Sequence, residues 1–311
     1  MPICMTTTKL RSAGILIIDN QMKDSRHITL SWALLLCLVT SQVICAQDVL
    51  RANYLFYHKL APEREYIFEP DMMLDYDGTS SVFYSQTLYL KDSLQRIAYG
   101  DQGTIINQKA ETELRRLGAK EYPDIYLLDH QDQDITVWFT KTFLFIEGTI
   151  DHLHPVWELF EDSQTINGYT CKKARTVFCG RVWTVWYTDE IPASAGPWLL
   201  HGLSGLIVDA IDADNLFHFQ LRDLTLTDKS RYRFLADYYQ TEKKNPRYRR
   251  FYKEPLFQAS RTYTRARQSV SYFNQLIGMN LTIGGYGRDA NGQRRELPVE
   301  HPYIPLISGM K

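Results

Sequence analysis

Two runs with a two-residue period set the limits on this fold. In Val182–Thr188, Trp183, Val185 and Tyr187 alternate with Thr184 and Trp186, and in Leu216–Leu226, Phe217, Phe219 and Leu221 alternate with His218, Gln220 and Arg222. Successive side chains of a strand point to opposite faces, so each run has a dry face and a wet one. Asn167-Gly168 and Cys179-Gly180-Arg181 are tight-turn signals that frame Tyr169–Phe178. Strands joined by such turns build an antiparallel sheet, and its edges have to be closed or covered.

Between the two runs lies the stretch Gly196 to Asp209. Gly196-Pro197 presets a turn, and Gly202 and Gly205 bracket a second reversal around Ser204 before the apolar run Leu206–Ile211. This stretch, with Ile166 to Ala174 and Gly180 to Thr188, resembles the GLPGLI family, uncharacterised exported proteins of Gram-negative bacteria. The family hexapeptide is matched by Gly202 to Ile207, with Ser204 in place of its proline. The resemblance is strongest over Trp157 to Asp212 and implies an exported β protein. The family has no assigned reaction, so Gly196, Pro197, Gly202, Ser204 and Gly205 are expected to form a structural motif, with no catalytic residue among them.

Further strands are expected at Asn53–His58, at Met72–Tyr76 and Ser81–Tyr84 around Asp77-Gly78, at Asp124–Leu128 and at Thr136–Ile146. Ala110–Leu117 reads as a short helix closed by Gly118. Tyr263, Ala266, Val270, Phe273 and Ile277 recur at steps of three and four, which predicts an amphipathic helix over about 260–277 ended by Gly278. The fold class that follows is mainly β, a large curved antiparallel sheet or open barrel with a C-terminal amphipathic helix packed on it.

Residues 22–46 have the basic start, apolar middle and small-residue end of a secretory signal peptide, which makes Met22 the expected start, residues 1–21 an overcalled one and Gln47 the first mature residue. Residues 47–283 are then one β-rich domain and 284–311 a loop-rich tail. Cys45 lacks the small residue that lipoprotein processing needs before it. No later run reaches the ~20 apolar residues of a spanning helix. The protein is therefore expected to be periplasmic, outer-membrane-associated or secreted, and not membrane-spanning. Of five cysteines, Cys171 and Cys179 remain. Eight residues apart along a strand and its turn, they stand too far apart to bridge, with Cys171 buried and Cys179 the more exposed.

Residues 47–227 carry 15 basic and 27 acidic side chains, and residues 228–311 carry 16 and 7. The asymmetry is expected to dock the two parts on each other or to mark an external anionic partner such as lipid headgroups, so the basic and aromatic stretch Arg231–Lys253 needs no nucleic acid to explain it. Gly202-Leu203-Ser204-Gly205 is not a hydrolase elbow, because its second glycine comes one residue early. His152 with His154, and Asp209, Asp212 and Asp214, fall short of a metal-ligand set, and neither metal nor cofactor is expected. These features point to a non-enzymatic binding or assembly protein that holds an apolar ligand, a peptide or an outer-membrane protein on its sheet. The alternatives are an envelope or secreted hydrolase acting on a polymer and a structural accessory of an outer-membrane complex.

Overall fold

A computed structural model describes residues 48–99, 105–117, 124–141, 144–228, 250–278, 286–288, 294–296 and 305–307. The expected start and signal peptide fall on residues 1–46, outside them, as do Gly118 and most of Arg231–Lys253. The chain is mostly β. Strands β1 (Asp48–His58), β2 (Ile67–Tyr76), β3 (Ser80–Ser85), β4 (Ile125–Asp129), β5 (Ile135–Lys141) and β6 (Leu144–Ile150) come first, with helices α1 (Gln86–Tyr99) and α2 (Gln108–Arg116) between β3 and β4. Then follow β7 (Glu158–Ile166), β8 (Tyr169–Phe178), β9 (Arg181–Thr188), β10 (Leu206–Asp212), β11 (Phe217–Asp228) and β12 (Arg250–Pro255), and helices α3 (Leu256–Gln268) and α4 (Val270–Ile277). A separate small ribbon pairs β13 (Tyr286–Arg288) with β14 (Arg294–Glu296) inside the stretch expected to be loop.

The main sheet has 12 strands in the order β12-β6-β5-β4-β3-β2-β1-β11-β10-β9-β8-β7 and does not close. It is mixed, because β12 runs parallel to β6. The Asn167-Gly168 and Cys179-Gly180 turns have positive φ at both residues, the conformation whose twist matches a hairpin. They fix the register of β7, β8 and β9, and burial along β9 alternates as the sequence pattern requires.

The larger core fills one face, here the inner face, with Tyr54, Phe56, Phe83, Phe139, Trp183, Phe217 and Phe219. The connection from β9 to β10 folds into it. Trp198, Leu199, Leu200 and Leu203 of that connection are all buried, each contributing ~1.5–3 kcal/mol. Trp198 lies 6.4 Å from Tyr126 on β4 and 5.3 Å from Trp183 on β9, ring centre to ring centre. In a flat sheet, six strand spacings would hold β4 and β9 ~29 Å apart. The sheet is therefore strongly curled, and the segment that links β9 to β10 plugs its concave side.

The outer face differs between the halves. Over β1 to β6 it carries a second core of Val49, Met73, Val82, Tyr84, Ile125, Trp138 and Phe145, with Tyr89 of α1 packed on it. Both faces being covered, β3 is buried at almost every residue. Over β7 to β11 the outer side chains are half-exposed or exposed.

Two expected elements divide. Thr136–Ile146 is two antiparallel strands, β5 and β6, whose junction at 142–143 has neither glycine nor proline. The helix expected over about 260–277 starts at Leu256 and breaks at Ser269, whose extended backbone ends α3 while its hydroxyl accepts from the Tyr272 amide at 3.3 Å to cap α4. Gly278, left-handed at φ +67, ends α4. Tyr263, Ala266, Phe273 and Ile277 are buried in the inner core, and the Tyr263 hydroxyl donates to the Thr140 carbonyl at 3.0 Å. Val270 is half-buried.

Candidate functional site

The Gly196–Gly205 motif serves the plug. At Gly196 a Cβ would lie 2.7 Å from Ile207 Cδ1 and 2.9 Å from the Leu200 carbonyl oxygen. Pro197 accepts from the Leu200 amide at 3.2 Å, closing the turn before Trp198, whose positive φ of 59° is uncommon for so bulky a residue. Gly202 has φ +91, and Gly205 is pressed against β9, where a Cβ would meet the Thr188 carbonyl oxygen at 1.8 Å. The Ser204 hydroxyl donates to Asp189, which also pairs with Lys172 at 2.6 Å. Lys172 and then Ser204 hold the Asp189 carboxyl below its usual range. Nothing here resembles an activated nucleophile.

The other candidates disperse. His152 and His154 are exposed, and His152 leans on the Asp132 carbonyl at 2.7 Å, which raises its pKa. Asp212 is buried, accepting from Arg181 at 3.0 Å and from the Leu216 and Phe217 amides at 2.7 and 2.8 Å, while Asp214 is exposed. Among the described residues, no group of three or more His, Cys, Asp or Glu is arranged to hold a metal ion. Likewise, no described helix is long and apolar enough to cross a membrane. Cys179, expected near the surface, is buried: its turn curls against the inner core, and desolvation pushes its thiol up to about 12. Cys171 is buried at the other end of β8.

Asp209 points the other way, to the wet outer face, and there the register assembles a strip. Trp186 on β9 pairs across with Lys173 on β8 and with Asp209 on β10, and Asp209 pairs with Gln220 on β11. Asp209 Oδ2 lies 2.9 Å from His218 Nε2 and accepts from Gln220 Nε2 at 3.3 Å. With a proton on Nε2, His218 donates to that carboxylate. The pair is half-buried, with side-chain exposures of 23% for His218 and 17% for Asp209. His218 in turn lies 6.0 Å from the Tyr57 ring on β1, and Tyr57 stacks on Phe68 of β2 at 5.0 Å and 28°. Tyr66 stands edge-on to Tyr57 and carries the Lys59 ammonium over its ring at 4.7 Å. At the far end, the Lys173 ammonium sits 5.5 Å from the Phe160 ring and 5.9 Å from Trp186.

Aromatic rings at both ends thus enclose a carboxylate, an imidazole and an amide at the centre. Phe68 is 50% exposed and Tyr66 41%, far more than a structural core would leave open. Rings present flat apolar surface, and the polar centre offers donors and acceptors in fixed positions. Three of the buried carboxylates are committed to the fold: Asp75 to Arg51 at 2.7 Å, Asp212 to Arg181, and Glu147 to Trp138 at 3.0 Å.

Fold and strip together define an open, mostly β scaffold with an aromatic and polar outer face. Residues 131–229, which include β5 to β11, match the family model of the N-glycanase peptide, N-terminal domain. The structure of PNGF-II in a C2 crystal form aligns with TM-score 0.44 and 10% identity over 71% of this chain and 33% of its own. A P21 form of PNGF-II aligns with TM-score 0.40 and 10% identity over 78% and 37%. The chain thus spans about a third of the length of those structures. No curated protein matches it.

The family match corrects the sequence reading in two places. The resemblance to the GLPGLI family is overturned, because the segment that carried it falls inside the N-glycanase match. Gly202 and Gly205 answer a backbone need, a positive φ and a close approach to β9, that any plug of this shape imposes. The non-enzymatic binding protein for an apolar or peptide ligand falls as well. It rested on architecture alone, whereas the match is to an N-glycanase domain and favours the hydrolase alternative.

Proposed function

We propose that this chain works in the hydrolytic removal of N-linked glycans, with the outer-face strip from β7 to β2 as the surface that receives the carbohydrate. One observation carries the reading: the rings of Phe160, Trp186, Tyr57 and Phe68 share that strip with Asp209, His218 and Gln220. A pyranose has an apolar C–H face and a rim of hydroxyls. The rings take the first, and the carboxylate, imidazole and amide take the second. The match to the N-glycanase domain model, which includes Phe160 to Gln220, supports the same class. Export through residues 22–46 suits a substrate displayed on secreted glycoproteins. Within the strip, His218 is the proton-handling group, oriented by Asp209 and able to exchange a proton at its other ring nitrogen.

The test titrates the full chain with an N-glycosylated protein and with the same protein stripped of its glycans, and follows released sugar by chromatography. Binding to the glycosylated form alone is expected, weakened by Trp186→Ala, with release that falls in His218→Ala. Equal binding to both forms refutes the reading.

A further inference from the structure

The strip has two stacking stations, and their separation bears on what can occupy both. We infer that it is a two-station site for a run of about four sugars, one end seated on Trp186 and the other on Tyr57, with the two middle units against Asp209 and His218. The inference rests on the carbohydrate reading above and adds the length and orientation of the ligand.

Trp186 lies on β9 and Tyr57 on β1, with β10 and β11 between them in the sheet. Three strand spacings across the sheet (~14 Å) and a two-residue offset along β11 (~7 Å), where Asp209 pairs with Gln220 and Ile211 with His218, put the stations ~16 Å apart. The order across the sheet is ring, carboxylate, imidazole, ring: Trp186 is the cross-strand partner of Asp209, Asp209 lies 2.9 Å from His218, and His218 lies 6.0 Å from Tyr57. A linear chain of pyranoses advances by about one strand spacing per sugar. One sugar on each station therefore leaves room for about two between them, each opposite a polar side chain. Phe68, stacked on Tyr57, and Phe160, bridged to Trp186 by the Lys173 ammonium, widen the stations without changing their separation. Asp209 faces both His218 and Gln220, so the centre presents a carboxylate already engaged by two donors and accepts neutral hydroxyls better than a charged sugar.

The experiment is calorimetric titration of the full chain with N-glycan oligosaccharides trimmed to one, two, three, four and six units. Affinity is expected to tighten stepwise to four units and then level off. Trp186→Ala and Tyr57→Ala should each weaken four-unit binding by about three- to tenfold, the loss of one ring stack, and leave it close to that of the three-unit sugar. Trp186→Phe and Tyr57→Phe should restore it. Should an alanine variant unfold, Trp186→Leu and Tyr57→Leu keep apolar bulk without the ring and read the same loss. Full affinity already at one or two units, or sensitivity at only one station, overturns the two-station site while sparing the carbohydrate reading. No binding at any length overturns both.

Discussion

Replacing Gly205 with alanine tests the plug at its tightest point. The added Cβ would lie 1.8 Å from the Thr188 carbonyl oxygen, 2.5 Å from its carbon and 3.0 Å from Asp189 Cα. All three are backbone atoms, so no side chain can swing away. Reaching even 3.0 Å from that oxygen requires a shift of 1.2 Å (3.0 − 1.8). Thr188 is buried and pairs with Leu206 in the β9–β10 ladder, so the shift must open the end of that ladder or lift the turn off the sheet. A 1.2 Å displacement of backbone puts overpacking at the top of its ~1–3 kcal/mol range, and a lost hydrogen bond adds ~1 kcal/mol, giving about 4 kcal/mol in all. Gly202→Ala is the control, because its nearest atom, Trp157 Nε1, is 3.7 Å away and only its φ of +91 resists. A left-handed residue costs ~1–2 kcal/mol. At ~2–4 °C per kcal/mol, thermal melts should show Gly205→Ala about 8–16 °C below the parent and Gly202→Ala about 2–8 °C below. A Gly205→Ala protein that melts within ~2 °C of the parent, or above Gly202→Ala, refutes the packing argument.

Other perturbations probe the core and its titration. Arg181→Met leaves Asp212 buried without its cation and should cost about 3 kcal/mol in urea unfolding, with Asp212→Asn added to it recovering part of the loss. Phe273→Asp puts a charge at a fully buried position of α4 and should cost about 4 kcal/mol, while Phe273→Leu costs much less on the same denaturation curve. Burial lowers the pKa of His201 to about 4. The hydrogen bond to the Leu199 carbonyl opposes that shift, and the His130 and His154 rings act with it. The unfolded chain therefore binds more protons between pH ~6.5 and ~4, so stability is fully present above ~6.5 and falls as pH drops through that window, by up to ~1.4 kcal/mol per unit. His201→Phe should flatten that part of the stability profile, measured as urea midpoints at successive pH values. A slope unchanged in the variant rules His201 out as the cause.

The sheet was legible where the signals are local. Tyr169–Phe178 is β8 to the residue, because a positive-φ pair bounds each end, and the alternations in β9 and β11 give their buried faces directly. Helix α1 was not legible. Its first turn is held by Asp71, whose carboxylate accepts from the Thr87 amide at 2.6 Å from 16 residues upstream, a cap that no local pattern contains. The Thr136–Ile146 run hid its reversal for a related reason: both faces of β5 and β6 are covered, so apolar residues lie on either side of Thr140-Lys141-Thr142, with no glycine or proline to mark the change of direction. The break in the C-terminal helix left a signal in Ser269, a capping residue ahead of Val270, and the start at Leu256 left another in Pro255. At the strip, the sequence placed Trp186 and His218 on the wet face. It could not say that Trp186 faces Asp209, or that His218 approaches Tyr57, since those neighbours come from register and from strands far apart in the chain.

The burial of Arg181 has a consequence in time. Its guanidinium donates to the carbonyls of Leu306 and Pro305, 125 and 124 residues downstream, while it also engages Asp212 and lies 4.4 Å from the centre of the Phe217 ring. During synthesis and any unfolded passage, β8 to β11 can form their hairpins long before residue 305 exists to cover that cation. The late segment must then displace water from a charged pocket, a step with high contact order and hence slow. Until it docks, the inner core has a hydrated breach beside Phe217, and the same gap is where a protease or a chaperone would find the maturing sheet open.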